Sequence, residues 1–337
     1  MSESRDKAWL VRPDGSAILG HGPFSSLEQP PADGTAFYVQ RYGMDDAAPW
    51  QVPSAVERLS AAELAARLAD CPPPRCEWRE IDAGPFAGVF QEVMDSIRRG
   101  VFEKTVPVVV ERGRLAHGSP LDLAAAMCRQ GFPRMAYAWF QGERGFAGAT
   151  PEILFTLEGS RLKTMALAGT ARREERSVFE VDEKEIREHE YVAQSLVAKL
   201  GDLGRVTCGE RTILDLGELV HFLTPIEVEL ADAYGPGEWI RRLHPTPALG
   251  PLPRTPATLA QLIAWRERLG CPEEFGAPFG VWENGRFDAV VAIRGIWWRG
   301  DQLRLPAGCG VIEASRLVNE WRELRLKREA VKQAFDV

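Results

Sequence analysis

The stretch WENGRF, Trp282 to Phe287, places an Asn-Gly pair between two apolar runs, and this constrains the fold more than any other local feature. Asn-Gly suits a two-residue hairpin, because both turn positions need positive φ, so the flanking strands pair antiparallel rather than through βαβ crossovers. Strand-like runs recur at KTVPVVVERG, RMAYAWF, GFAGATPEILFTLEG, RLKTMALAGT, FDAVVAIRGIWW and QLRLPAGCG. Helical spacing appears in FAGVFQEVMDSIRRG, PLDLAAAMCRQ, a long segment from about Asp182 to Leu200, Pro256 to Leu269 and the C-terminal stretch. The expectation is an α+β fold with helices packed on antiparallel sheets. The first 85 or so residues are rich in Pro and Gly, with short strands AWLVR and AFYVQ and a helix opened by Ser60. They read as edge strands and connections on the same core, with the chemistry in residues 86–337 of one structural domain.

A chain of 337 residues with 45% apolar content can bury a large core. Its start, MSESRDK, has no apolar leader, and no run approaches the roughly 18 apolar residues of a membrane span, so a cytoplasmic location is expected. The six cysteines show no CxxC pair, which argues against structural zinc and for reduced thiols. A net charge of −7 argues against a nucleic-acid surface, and an anionic small ligand would need a local positive pocket or a bound cation.

The stretch NEWRELRLK puts Glu320, Glu323 and Lys327 on one stripe beside the apolar line Leu317, Trp321, Leu324 and Val331. Such a stripe fits an exposed helix with Glu to Lys pairs worth about 0.2–0.5 kcal/mol each. DEKEIREHEYVAQSL repeats the habit, with Glu185 and Glu188 on the side of Val192 and Leu196. Those two can complement a helix N-terminus, an explanation unavailable to the mid-helix pair. Four inward carboxylates would repel unless a cation sat among them, and oxygen donors alone fit Mg²⁺.

Single residues stand out as well. Lys104 begins a strand with apolar neighbours; on an exposed edge it would be ordinary, whereas turned inward its pKa falls and it can act as a base. Glu152 follows a Gly-Ala-Thr-Pro turn, either as a solvent-facing strand start or as a carboxyl with raised pKa that donates a proton. Gly169 and Thr170, before an Arg pair, and Gly310 offer close backbone approach to a ligand. Arg294 lies in an apolar strand and needs an anionic partner. His189, His221 and His244 read as satisfied structural histidines.

Taken in order, GVFEKTVPVV, GATPEILF, ALAGTARR, DEKEIREHEYV, LVHFLTPIEVEL, LHPTPALGPLPR, FGAPFGVWENGRFDAVVAIRG and LPAGCGVIEASRLVNEWRELRLK resemble the chorismate-utilising enzymes, over roughly residues 86–333. That family includes isochorismate, salicylate, anthranilate and aminodeoxychorismate synthases. The resemblance implies one chorismate-binding domain, an antiparallel β-sandwich wrapped by helices, with Mg²⁺ holding the substrate's ring carboxylate. It assigns Glu188 and Glu323 to the metal, with Glu185 and Glu320 beside them. Arg294 and Lys327 match positions that hold substrate carboxylates, aided by Gly169, Thr170 and Gly310. Lys104 and Glu152 match the general base and acid.

Within the family, ammonia-using members typically carry glutamine at the Lys104 position, and aminodeoxychorismate synthases a lysine at the Ala168 position. HPTPAL, with Ala248 and Leu249, and Phe275 resemble isochorismate synthases. The departures are a short N-terminal region, the compact GVWENG, Cys309 for alanine and Pro251 for glycine, and none removes a candidate catalytic group. The leading expectation is a Mg²⁺-dependent isochorismate synthase, a monomer without a glutamine amidotransferase subunit. Its product would serve menaquinone, a siderophore or another salicylate-derived compound. The alternatives are a salicylate synthase that also eliminates pyruvate, and a chorismate-binding protein without turnover.

Overall fold

Asn284 and Gly285 close the expected hairpin between Pro278–Glu283 and Arg286–Val291, with φ of 48° and 89° and Glu283 opposite Arg286. Two successive positive φ values give the turn the twist that antiparallel strands need. A computed structural model of the chain describes residues 6–129, 133–232 and 234–337. Among the described residues all strand pairs are antiparallel. They form a 17-stranded hydrogen-bonded network plus one separate pair, Lys104–Thr105 with Val311–Ile312. Helices pack on this network, which is the expected α+β class.

The N-terminal region is more deeply built in than an edge. Lys7–Val11 is paired on both sides, with Ser16–Leu27 and with Met135–Gln141. Thr35–Val39 extends the sheet from Pro278–Glu283. Trp9 and Phe37 are fully buried, and the Arg12 guanidinium meets Glu283 at 3.1 Å and Asp288 at 2.8 Å. Pro- and Gly-rich composition resembles an edge, but these partners lie far along the chain and leave no local trace.

Three runs expected as single strands are interrupted. KTVPVVVERG splits into Lys104–Thr105 and Val108–His117 around Pro107, which has no N–H to give the ladder. GFAGATPEILFTLEG splits at Pro151 and Glu152, and FDAVVAIRGIWW splits at Arg294, which takes φ of 57°. The second and third breaks carry the candidate site residues Glu152 and Arg294, and Lys104 lies just before the first.

Two helices frame the same region. Asp182 caps Glu183–Leu200 by accepting from the Glu185 N–H, and Val192, Leu196 and Leu200 bury its inner face against Phe155 and Phe287. Leu317–Phe335 buries Leu324, Val331 and Phe335 and exposes Arg322, Arg325 and Glu329, as its periodicity predicts. No helix among the described residues is long and apolar enough to cross a membrane.

The C-terminal helix is also tied down by charge. Glu111, on Val108–His117, accepts from buried Arg328 at 3.2 Å and pairs with Lys332. Removing one partner of a buried pair leaves an uncompensated charge, at a cost of about 3–5 kcal/mol. Glu111→Ala is therefore expected to lower the denaturant midpoint by an equivalent amount, with Glu111→Gln losing less, measured by urea unfolding.

Candidate active site

The strand Arg161–Arg172 pairs with Leu219–Leu230, and the register shifts between Ala168 and Ala171, so that Gly169 and Thr170 together oppose His221. A bulge of this kind turns backbone out of the ladder. Gly169 takes φ of +75°, and a Cβ there would lie 3.1 Å from Phe222 and 3.3 Å from the Glu185 carbonyl. His221 Nδ1 lies 2.7 Å from the Gly169 carbonyl, and its Nε2 lies 2.9 Å from Arg294 Nη2. Arginine only donates, so Nε2 accepts and the ring proton sits on Nδ1, directed at Gly169. Burial and the neighbouring Arg294 hold the His221 pKa well below its ordinary value, which keeps the ring neutral.

Arg294 thus enters the cavity supported by a neutral ring. Among the described residues it forms no ion pair, and burial, then Arg134, lower its pKa to about 10. A half-buried arginine so placed has the charge and donors to receive an anion. Lys327, also on the cavity wall, donates to the Gly308 carbonyl at 2.9 Å and pairs with Glu323 at 2.6 Å.

Lys104 and Glu152 share one support. Lys104, with no exposed surface, donates from Nζ to the Pro247 carbonyl, and Glu152 Oε1 accepts from Thr246 Oγ1 at 3.3 Å. The segment behind them is held by His244, whose Nε2 donates to the Tyr42 carbonyl at 2.8 Å, and by the Tyr42 hydroxyl, which donates to the Leu249 carbonyl at 2.7 Å. The N-terminal region, expected to carry no chemistry, therefore backs the site through Tyr42. Burial lowers the Lys104 pKa against the pull of Glu188 at 3.4 Å, and burial raises that of Glu152 to about 7.

The four carboxylates converge from two helices, but on a group the sequence analysis passed over. Lys184 Nζ lies 2.8 Å from Glu185, 3.2 Å from Glu188, 3.6 Å from Glu320 and 4.0 Å from Glu323. Burial opposes ionisation of Glu188, but Lys184, Lys104 and Lys327 outweigh it and bring its pKa to about 2. Burial raises Glu185 to about 7 and Glu320 to about 8 despite Lys184, with Glu323 and Glu188 adding repulsion. Gly310 is needed for close approach, since a Cβ there would collide with the Glu188 carboxylate.

As a metal site this cluster has suitable donors and an unfinished arrangement. Its oxygens suit a hard divalent cation, and buried Glu320 Oε2 has no hydrogen-bond partner. Among the described residues, however, no three metal-ligating groups form a ready set. Glu188 and Glu323, with Glu185 and Glu320, could close on a cation once the Lys184 ammonium is elsewhere.

Glu152, Gly169, Thr170, Glu188, Ala248, Leu249, Arg294, Gly310 and Lys327 line one cavity together with Phe275 and His221. Lys104, Glu185, Glu320 and Glu323 stand around it through the contacts above. The Thr170 N–H is engaged by Glu185 Oε2 at 2.8 Å, where the sequence reading expected it to face a ligand. His244 is hydrogen-bonded as expected, whereas His189 pairs through Nε2 with Thr224 at 2.9 Å and leaves its buried Nδ1 without a partner among the described residues. Sequence reasoning missed Lys184, Thr246 and the supporting role of His221. Of these, only Lys184 carried a signal, one and four residues before two inward glutamates.

Residues 50–336 match the chorismate binding enzyme family. The salicylate biosynthesis isochorismate synthase of Pseudomonas aeruginosa is 29% identical over 256 residues, covering 72% of this chain and 53% of that protein. Isochorismate synthase EntC of Escherichia coli is 33% identical over 199 residues, covering 56% of this chain and 50% of that protein. The chain spans about half the length of these curated relatives. The solved structure of the menaquinone-specific isochorismate synthase MenF of Escherichia coli matches with a TM-score of 0.82 at 19% identity, covering 99% of this chain and 89% of that one, a likeness of fold. Since the family match takes in most of the chain and every candidate site residue, the chain belongs to the chorismate binding enzyme family.

Proposed function

We propose that the chain is an isochorismate synthase, which adds water at C2 of chorismate and releases the C4 hydroxyl. The observation that carries this reading is a buried lysine and a buried glutamate tied to adjacent residues, Pro247 and Thr246, at one cavity. Burial disfavours the charged form of each, so the lysine is drawn toward a neutral base and the glutamate toward a protonated acid. A protein that only bound chorismate would gain nothing from this pair. The lysine at 104 and the alanine at 168 also support water over ammonia as the nucleophile, so no ammonia-supplying subunit is needed.

In this reading Arg294 and Lys327 receive the substrate's two carboxylates. Neutral Lys104 takes a proton from the water that attacks C2, and Glu188 at 3.4 Å stabilises the ammonium that forms. Glu152 delivers its proton to the departing C4 hydroxyl. The bonds made and broken are of the same kind, so the reaction runs in both directions. A magnesium ion held by Glu188 and Glu323, with Glu185 and Glu320 beside them, would neutralise the ring carboxylate and polarise the conjugated system.

Incubation with chorismate, with and without Mg²⁺ and ammonium and resolved by mass, is expected to give isochorismate only when Mg²⁺ is present. Anthranilate as product, or turnover without the metal, overturns the reading; salicylate with pyruvate would identify the salicylate synthase alternative. Lys104→Ala and Glu152→Gln should each cut kcat by about 10²–10⁴-fold, the usual contribution of a positioned base or acid. Unchanged turnover in either variant would remove that residue from its role.

The pH profile carries a sign. Glu152 must be protonated to act, so kcat should fall as pH rises through about 7. Thr246 lowers that pKa by hydrogen bonding to the carboxylate, so Thr246→Val should move the alkaline limb to higher pH.

A further inference from the structure

The Lys184 side chain has no role in the proposed reaction. It rises from the first turn of Glu183–Leu200 and is 20% exposed, and its ammonium contacts two carboxylates from its own helix and two from Leu317–Phe335. No other single group bridges both helices in this way among the described residues. We propose that Lys184 is an internal counter-ion that keeps the carboxylate cluster assembled without metal and must leave it for a divalent cation to enter. The second half rests on the metal reading given above.

Space and charge both point to exchange. Carboxylate oxygens bind Mg²⁺ at about 2.1 Å. An ion within that distance of both Glu188 and Glu323 would sit among oxygens that the Lys184 nitrogen already approaches to 3.2 and 4.0 Å. Lys104 and Lys327 also touch the cluster, through Glu188 and Glu323. A divalent cation and the Lys184 ammonium repel each other at such short range, so the ion enters most readily in place of the ammonium rather than beside it. The exit is short: the lysine sits one residue from the exposed Glu183 end of its helix, and its four-carbon stem can carry the ammonium to water. Metal affinity then measures the difference between two cations for one cage.

The test compares wild type with Lys184→Gln, which keeps a polar end on a slightly shorter stem but removes the charge. In chelator, the variant should melt at a lower temperature than wild type. By calorimetry it should bind Mg²⁺ at least about tenfold more tightly, as expected when one close like-charge contact is removed. Saturating Mg²⁺ should raise its Tm by more than it raises that of wild type. A lysine with a merely structural role would lower Tm without tightening the metal. If Lys184→Gln proves too unstable to purify, wild-type crystals soaked in Mn²⁺ still decide, because Lys184 should then be out of contact with Glu188 and Glu320. A metal-bound wild type with Lys184 still in the cluster, or equal or weaker Mg²⁺ binding by the variant, overturns the exchange alone. If wild type binds no divalent cation, the metal reading falls and this inference with it.

Discussion

Four carboxylates brought together away from water repel one another, and no packing of two helices survives that without positive charge between them. Glu185 and Glu188 approach from one helix and Glu320 and Glu323 from the other, and the Lys184 ammonium lies within 4.0 Å of all four. The remaining strain appears as divergent proton affinity, with Glu188 drawn to about 2 while burial lifts Glu185 to about 7 and Glu320 to about 8. Lys104 and Lys327 are drawn to the same cluster, and Gly310 is a glycine because the Glu188 carboxylate lies where a side chain would begin. The cavity thus inherits its cations and its shape from one electrostatic requirement.

The sheet supplies the other half of the site at the places where its ladder fails. Lys104 lies just before the Pro107 break, Glu152 in the gap after Pro151, and Arg294 at a left-handed residue between two strands. Gly169 and Thr170 form a two-residue bulge opposite His221. A regular antiparallel strand sends alternate side chains to fixed faces, so a residue that must point along the sheet or expose its backbone needs an interruption. The surrounding pairings, from Leu219–Leu230 to Pro278–Glu283, hold these departures rigidly enough for two charged groups to meet one ligand.

How legible this was depended on whether a signal is local. The Asn284–Gly285 turn, the Ser60 cap and the stripes of both helices are written in spacings of a few residues, and they are found as expected. The pairing of Lys7–Val11 with Met135–Gln141, and the Tyr42 hydroxyl behind Leu249, join residues far apart and have no period to detect. Of the readings open for NEWRELRLK, the Glu to Lys pairing is present, since Glu323 and Lys327 form an i, i+4 pair at 2.6 Å, but beside the cavity that Lys327 lines rather than on an exposed face. Lys184 was hidden by its surroundings, since a lysine among charged residues near a helix start is ordinary until a second helix brings two more carboxylates to it.

Three lysines approach one acidic cluster, and a proton-transfer reaction needs them to differ. Lys184 is held charged, its pKa pushed well above the ordinary value because the four carboxylates outweigh its burial. Lys104 meets one carboxylate and one carbonyl with no exposed surface, so burial prevails and its pKa falls. The same effect acts with opposite sign on Glu152, whose carboxyl is raised to about 7 with Thr246 as its side-chain partner. Burial alone therefore draws a strong base and a moderate acid toward each other on the pH scale. In the proposed reaction that convergence lets one group accept a proton while the other gives one at the same pH, as simultaneous attack and departure on two faces of a ring demand.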